Sequence, residues 1–213
     1  MTEDILRKAP ANYAALVDCI YSHYATRCNP GWKLWGDKNN FYLEHIARIN
    51  QIFPAARFVH IVRDPRDVAC SYIDLNKVEH KSDYKPTLPH NVNEIASQWQ
   101  RNVLQVERDF DSIECKLIHC LRFEDLVAHP VDTLTALCGF LGEAFDPLML
   151  NYHQEIAENQ LEPSDFLSWK RWILAPPQSS RVGRFRSDLP AESAKLIVSL
   201  TEPVFSRYYR DQA

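Results

Sequence analysis

The run Arg57-Phe58-Val59-His60-Ile61-Val62, stopped by Arg63-Asp64-Pro65, constrains the fold of this chain more than any other segment. Its apolar residues, interrupted by His60, are β-branched-rich, and it is too short for a helix of ordinary length, so it predicts a buried strand. Pro65 then suits the first position of a helix, where its fixed φ fits and its missing N–H would have had no partner. Asp67 falls in the first turn, where a negative charge meets the positive end of the helix dipole. Val68, Ala69 and Tyr72 carry the helix onward. A strand that feeds a helix through so short a turn is the building unit of a parallel sheet.

The rest of the chain repeats the alternation. Residues 5–28 read as a helix on the stripe Leu6, Tyr13, Leu16, Val17, Ile20 and Tyr24, broken at Asn29-Pro30-Gly31. Trp32 to Gly36 is expected to be a short strand or extended. A second helix starts at Phe41 with Tyr42, Ile46, Ile49 and Phe53 on one face, and Pro54 stops it. Residues 80–92 read as an exposed loop. Ile95, Trp99, Val103, Val106 and Phe110 mark a long amphipathic helix in which Trp99 is a core residue. Lys116 to Leu121 predicts a second buried strand. Val131, Leu134, Leu137, Cys138 and Leu141 predict a helix closed by Gly142, and a last helix is expected over about 190–208. The predicted fold class is α/β with a parallel sheet, in a single domain spanning residues 1–213.

Composition narrows the function. With 46% hydrophobic residues the chain can fill a substantial core. The 24 basic and 28 acidic residues are dispersed, which argues against a broad nucleic-acid footprint and leaves room for a small basic pocket. Cys19, Cys28, Cys70, Cys115, Cys120 and Cys138 form no CxxC pair, as expected of a reduced cytoplasmic chain. No HxxxH or HxxH pattern points to a metal. Met1-Thr2-Glu3-Asp4 lacks the apolar core of a secretory signal, and no apolar run nears the ~20 residues that span a bilayer.

Chemistry is expected where the first strand ends, because ligands of open α/β sheets bind at the carboxyl ends of strands. Arg63 there offers a fixed fork of donors suited to a phosphate, and Ser71 adds a hydroxyl from the following helix. From the residues alone, the favoured reading is a turn in which Arg63, Asp64, Arg66 and Asp67 merely neutralise one another. Arg181, Gly183 and Arg184 form a second basic cluster, read either as a phosphate-contacting loop or as a solvated basic loop.

Several segments together resemble the sulfotransferases that use 3′-phosphoadenosine-5′-phosphosulfate, particularly bacterial and tyrosylprotein sulfotransferases. Arg63 and Ser71 have the spacing of that family's 3′-phosphate motif. Trp35-Gly36-Asp37-Lys38 resembles its W-x-D-K-[TD]-P segment, with Asn39 and Asn40 departing from the pattern. Leu121-Arg122-Phe123-Glu124-Asp125-Leu126 resembles R-Y-E-D-L, followed by Phe140-Leu141-Gly142 and Phe145. Ser179-Ser180-Arg181-Val182-Gly183-Arg184-Phe185-Arg186 resembles S-x-V-G-R-W-R. The resemblance implies a P-loop NTPase-like three-layer fold with a partial parallel sheet flanked by helices. It implies Lys38 as the catalytic cation that stabilises charge on the oxygen leaving sulfur. It implies Arg63, Ser71, Phe123, Arg181, Gly183 and Arg184 as donor-binding residues, with Phe123 where the family has a Tyr near the adenine. Glu124 and Asp125 belong to the structural frame.

The five glycines are not spaced to build the family's G-x-x-[RK]-[ST]-G-[ST] phosphosulfate loop. The expectation is therefore a chain truncated beyond that loop, with its general base unassigned. Such a chain would self-associate through exposed strand edges or take the loop from a separate chain. The implied function is transfer of a sulfuryl group to a hydroxyl or amine acceptor, releasing 3′-phosphoadenosine-5′-phosphate, without a metal. The alternative is a non-catalytic nucleotide-3′-phosphate-binding module or an inactive fragment.

Overall fold

The structure, a computed structural model, describes residues 10–77, 87–159 and 171–210. The expected first helix over residues 5–9 and the loop over 80–86 lie outside them. The chain divides into two compact units, one formed by residues up to Ala56 together with Gln105–Leu117, the other by Arg57–Leu104 and Ile118 onward.

In the first unit, α1 (Tyr13–Cys28) begins where Asn12 accepts from the Ala15 N–H at 2.9 Å, a side-chain cap that satisfies one orphan donor. Residues 32–38 are extended without forming a strand. The helix expected from Phe41 starts as a 3₁₀ turn over Asn40–Glu44, and α2 (Ile46–Ile52) follows. Asn39 explains the tighter start, since its side chain accepts from Phe41 N at 3.0 Å.

The second unit is built on β1 (Phe58–Val62) and β2 (Ile118–Arg122), which pair in parallel from Phe58 opposite Ile118 to Val62 opposite Arg122. Asp64 starts α3 (Pro65–Lys77) by accepting from Arg66 N at 2.8 Å, while Pro65 occupies the first helical position. The long helix α4 (Val92–Phe110), which belongs to this unit as far as Leu104, packs Trp99 and Val103 on Val62. Beyond β2 come α5 (Phe123–Ala128), α6 (Pro130–Leu141) and α7 (Tyr152–Asn159). Gly142 ends α6 with φ 76°, a left-handed conformation that lets Glu143 N reach Cys138 O at 2.9 Å. The single turn α8 (Phe185–Asp188) precedes α9 (Ala191–Thr201) and α10 (Val204–Tyr209).

Two expectations are corrected. The last helix is two helices, because Pro203 cannot donate to the preceding turn. The first strand is not buried on both faces. Val62 is 2% exposed against Val204, Phe205 and Tyr209 of α10, but Val59 and Ile61 on the opposite face keep 39% and 52% exposure. On that face α6 covers β2, where Phe140 stacks on His119 at 5.2 Å, and nothing among the described residues extends the cover over β1. A second cluster joins Ala69 of α3, Ile95 and Ala96 of α4 and Ile197 of α9.

The two isoleucine environments predict opposite outcomes. Ile197→Ala removes a fully buried side chain and is expected to cost about 2–5 kcal/mol. Ile61→Ala, half exposed, is expected to cost less than half as much. Urea midpoints of the two variants against the parent chain check the contrast.

Candidate functional site

The polypeptide leaves β1 at Arg63 and turns at once into α3, so the Arg63 side chain stands at the carboxyl end of the strand. Its backbone is fixed from below, since the Trp99 indole donates to Arg63 O at 2.9 Å. Its guanidinium is fixed from two sides. Nη1 donates to Ser71 Oγ at 3.1 Å, and Nη2 donates to Arg181 O at 2.8 Å. The Phe123 ring, at the start of α5, lies 4.7 Å from the guanidinium carbon, a cation–π distance. Arg63, Ser71, Phe123 and Arg181 are thus brought together from a strand end, two helix starts and a distant loop.

The alternation Arg63-Asp64-Arg66-Asp67 resolves into two separate functions. Asp64 and Arg66 do neutralise each other, with Arg66 Nη2 2.7 Å from Asp64 Oδ2, and Arg66 packs over Phe185 at 3.9 Å. Asp67 does not pair with Arg63 in this way. Its carboxylate accepts from the backbone N–H groups of Gly183 at 2.6 Å and Phe185 at 3.0 Å. Ser71 Oγ donates to Asp67 O at 3.0 Å, which orients the hydroxyl.

Arg184 is held by carboxylates. Nε donates to Asp188 Oδ2 at 2.6 Å and Nη2 to Asp74 Oδ2. Arg184 Nη1 and Arg63 Nε are buried and have no hydrogen-bond partner among the described residues. Buried donors without acceptors are costly, and an anion is the group that would satisfy several at once. Burial pulls Arg63 and Arg181 below the ordinary arginine value, and the neighbouring Arg184 pulls both the same way. Three cations held this close favour a bound negative charge.

Glu124 supports the turn from beneath. One oxygen accepts from Asp64 N at 2.9 Å, the other from the Tyr209 hydroxyl at 3.1 Å. Asp125 pairs with Arg122 at 2.5 Å. Both carboxylates are engaged in bonds that hold the turn and the start of α5.

Lys38 belongs to the first unit and is exposed. The segment carrying it is anchored firmly. Trp35 stacks on Tyr21 at 4.4 Å and donates from its indole to Asp18 at 2.8 Å. Asp37 accepts from the hydroxyls of Tyr21, at 2.5 Å, and Tyr42, and from Lys38 N at 2.8 Å. Burial raises the Asp37 carboxyl, but the three donors outweigh it and hold it below the usual range.

Asp67, Asp74 and Asp188 were not among the residues singled out for a site role in the sequence. Only the position of Asp67 in a helix's first turn was legible, and that signal concerns the helix dipole. Among the described residues no group of three or more His, Cys, Asp or Glu is placed to hold a metal, and no helix is long and apolar enough to cross a membrane.

Comparison with known proteins identifies the family and the fold. A profile of the Sulfotransferase family matches residues 3–147. The chain is 28% identical over 127 residues to the omega-hydroxy-beta-dihydromenaquinone-9 sulfotransferases of Mycobacterium bovis and Mycobacterium tuberculosis. The match covers 57% of this chain and 33% of each relative, so it spans a third of their length. Among solved structures it is similar to the sulfotransferase domain from the Synechococcus PCC 7002 olefin synthase, with TM-score 0.60, 25% identity, and coverage of 87% of this chain and 62% of that one. It also shares the fold of the sulfotransferase domain from the curacin biosynthetic pathway, with TM-score 0.57, 16% identity, and coverage of 86% and 66%. The class defined is an α/β fold with a basic site at a strand's carboxyl end. The chain belongs to the Sulfotransferase family.

Burial pushes the Glu124 carboxyl above its ordinary value of 4.5, against the opposing effect of its two hydrogen-bond donors. A raised folded-state value means the group's stabilisation is fully present below about 4.5 and is lost as pH rises through the raised value. Glu124→Gln is therefore expected to gain stability relative to the parent chain between pH 4 and pH 8. Urea midpoints across that range test the sign.

Proposed function

We propose that this chain carries the nucleotide-3′-phosphate grip of a sulfotransferase that uses 3′-phosphoadenosine-5′-phosphosulfate. The observation that supports it is the convergence of Arg63, Ser71 and Arg181, with the buried Arg63 Nε and Arg184 Nη1 lacking an acceptor among the described residues. In this reading Arg63 and Ser71 bind the 3′-phosphate, Arg181 adds charge, and Phe123 packs near the nucleotide. Gly183 shapes the loop that closes over them. Arg184, spent largely on Asp74 and Asp188, contributes at most Nη1.

The donor, when bound, supplies an activated sulfuryl group. Lys38 is proposed as the cation that stabilises charge on the departing oxygen, where a positioned charge acts more strongly on the transition state than on the ground state. Asp37, Tyr21, Tyr42 and Trp35 hold the backbone that carries Lys38. The mycobacterial relatives are named for a hydroxylated acceptor, which supports a hydroxyl over an amine for this chain.

The grip is tested by thermal melting. Saturating 3′-phosphoadenosine-5′-phosphate is expected to raise Tm, with about 2.7 kcal/mol of stabilisation at a hundredfold excess over Kd. Adenosine 5′-phosphate, which lacks the 3′-phosphate, gives a smaller shift, and Arg63→Ala removes the difference. Equal shifts with both nucleotides in the parent chain would overturn the reading. In the complete transferring assembly, Lys38→Ala is expected to lower turnover by about 10²-fold or more while leaving the nucleotide melt shift intact. Radiolabelled sulfate transfer measures it.

A further inference from the structure

A buried carboxylate beside three arginines is the opposite of what an anion site needs, unless it is committed elsewhere. Asp67 is fully buried. Its Oδ2 accepts from Gly183 N and its Oδ1 from Phe185 N, the two N–H groups that flank Arg184. They can converge because Gly183 has φ 72° and Arg184 follows in the right-handed helical region, the alternation that gathers backbone N–H groups into an anion-holding concavity. A side chain at position 183 would be strained at that φ and would have to displace the end of the Arg186 side chain. The concavity in the loop is thus filled by the protein's own carboxylate.

On the other side of Asp67, its carbonyl receives the Ser71 hydroxyl, and Ser71 in turn accepts from Arg63 Nη1. One residue therefore sets the hydroxyl and guanidinium at the strand end and, through its side chain, the backbone of the loop that brings Arg181 O to Arg63 Nη2.

We infer that Asp67 is a positioning residue: an internal anion that seats the 179–186 loop and leaves the incoming phosphate to the side chains of Arg63, Ser71 and Arg181 rather than to the loop backbone. The inference rests on the 3′-phosphate reading above for the ligand, but its structural half does not.

Asp67→Asn separates the possibilities. Asparagine offers one oxygen where two N–H groups need acceptors, and it sets an NH₂ against the other donor. Affinity for 3′-phosphoadenosine-5′-phosphate, by calorimetry, is expected to fall about tenfold or more, while affinity for adenosine 5′-phosphate changes less than about twofold. In parallel, amide exchange at Gly183 and Phe185 is expected to speed up at least about tenfold with β1 amides unchanged. Equal losses for both nucleotides would indicate a general structural role and overturn the inference, as would unchanged exchange at both amides. A parent chain that fails to discriminate the two nucleotides would instead overturn the 3′-phosphate reading, and the exchange measurement would still judge Asp67. Should Asp67→Asn not fold, Asp67→Glu takes its place. That variant keeps the charge but displaces it by one methylene, with the same selective loss expected and unchanged selectivity counting against the proposal.

Discussion

Placing a guanidinium at the end of a strand inside the protein is an electrostatic constraint that shapes its surroundings. Only neutral acceptors leave the Arg63 charge uncancelled, because a carboxylate salt bridge would neutralise it. The structure meets this with a hydroxyl, a backbone carbonyl and an aromatic face. The nearby acidic groups are directed elsewhere: Asp64 to Arg66, Glu124 to a backbone N–H and a tyrosine, Asp67 to the loop backbone. The net result is a part-buried guanidinium held by neutral groups inside a chain whose overall charge is −4.

The same arrangement couples core packing to the site. Trp99 packs with Val62, Val103, Val204, Phe205 and Tyr209, yet its indole also fixes Arg63 O. Tyr209 belongs to that cluster while its hydroxyl reaches Glu124, which supports the turn at Asp64. Substitutions in the cluster will therefore move stability and the geometry of the turn together, because the side chains that fill the interior are those that position the turn. The open face of β1 stands apart from this coupling. Parallel strands are usually covered on both faces, whereas Val59 and Ile61 on this face of β1 remain exposed.

Much of the fold was legible in the residues. The apolar run from Phe58, the proline at the first position of α3, the stripe along α4 and the glycine after α6 are local signals, each acting within a few residues of itself. They located the strands and most helices. Local signals failed where another local effect overrode periodicity: Asn39 tightened the turn at residue 41, and Pro203 divided the terminal helix. The exposure of Ile61 was illegible for a different reason. An apolar run implies burial, but which face receives a covering helix depends on how many strands and helices surround it.

What the sequence alone determined about this protein is its class of architecture; the pairing of Arg63 with Ser71 was expected only from the spacing in the family it resembles. Family resemblance pointed to the loop near Arg181 as well. Only the tertiary structure decided how that loop is seated, because Asp67 meets N–H groups 116 and 118 positions away. No spacing rule carries information across such a separation; it exists only once packing has brought α3 against α8.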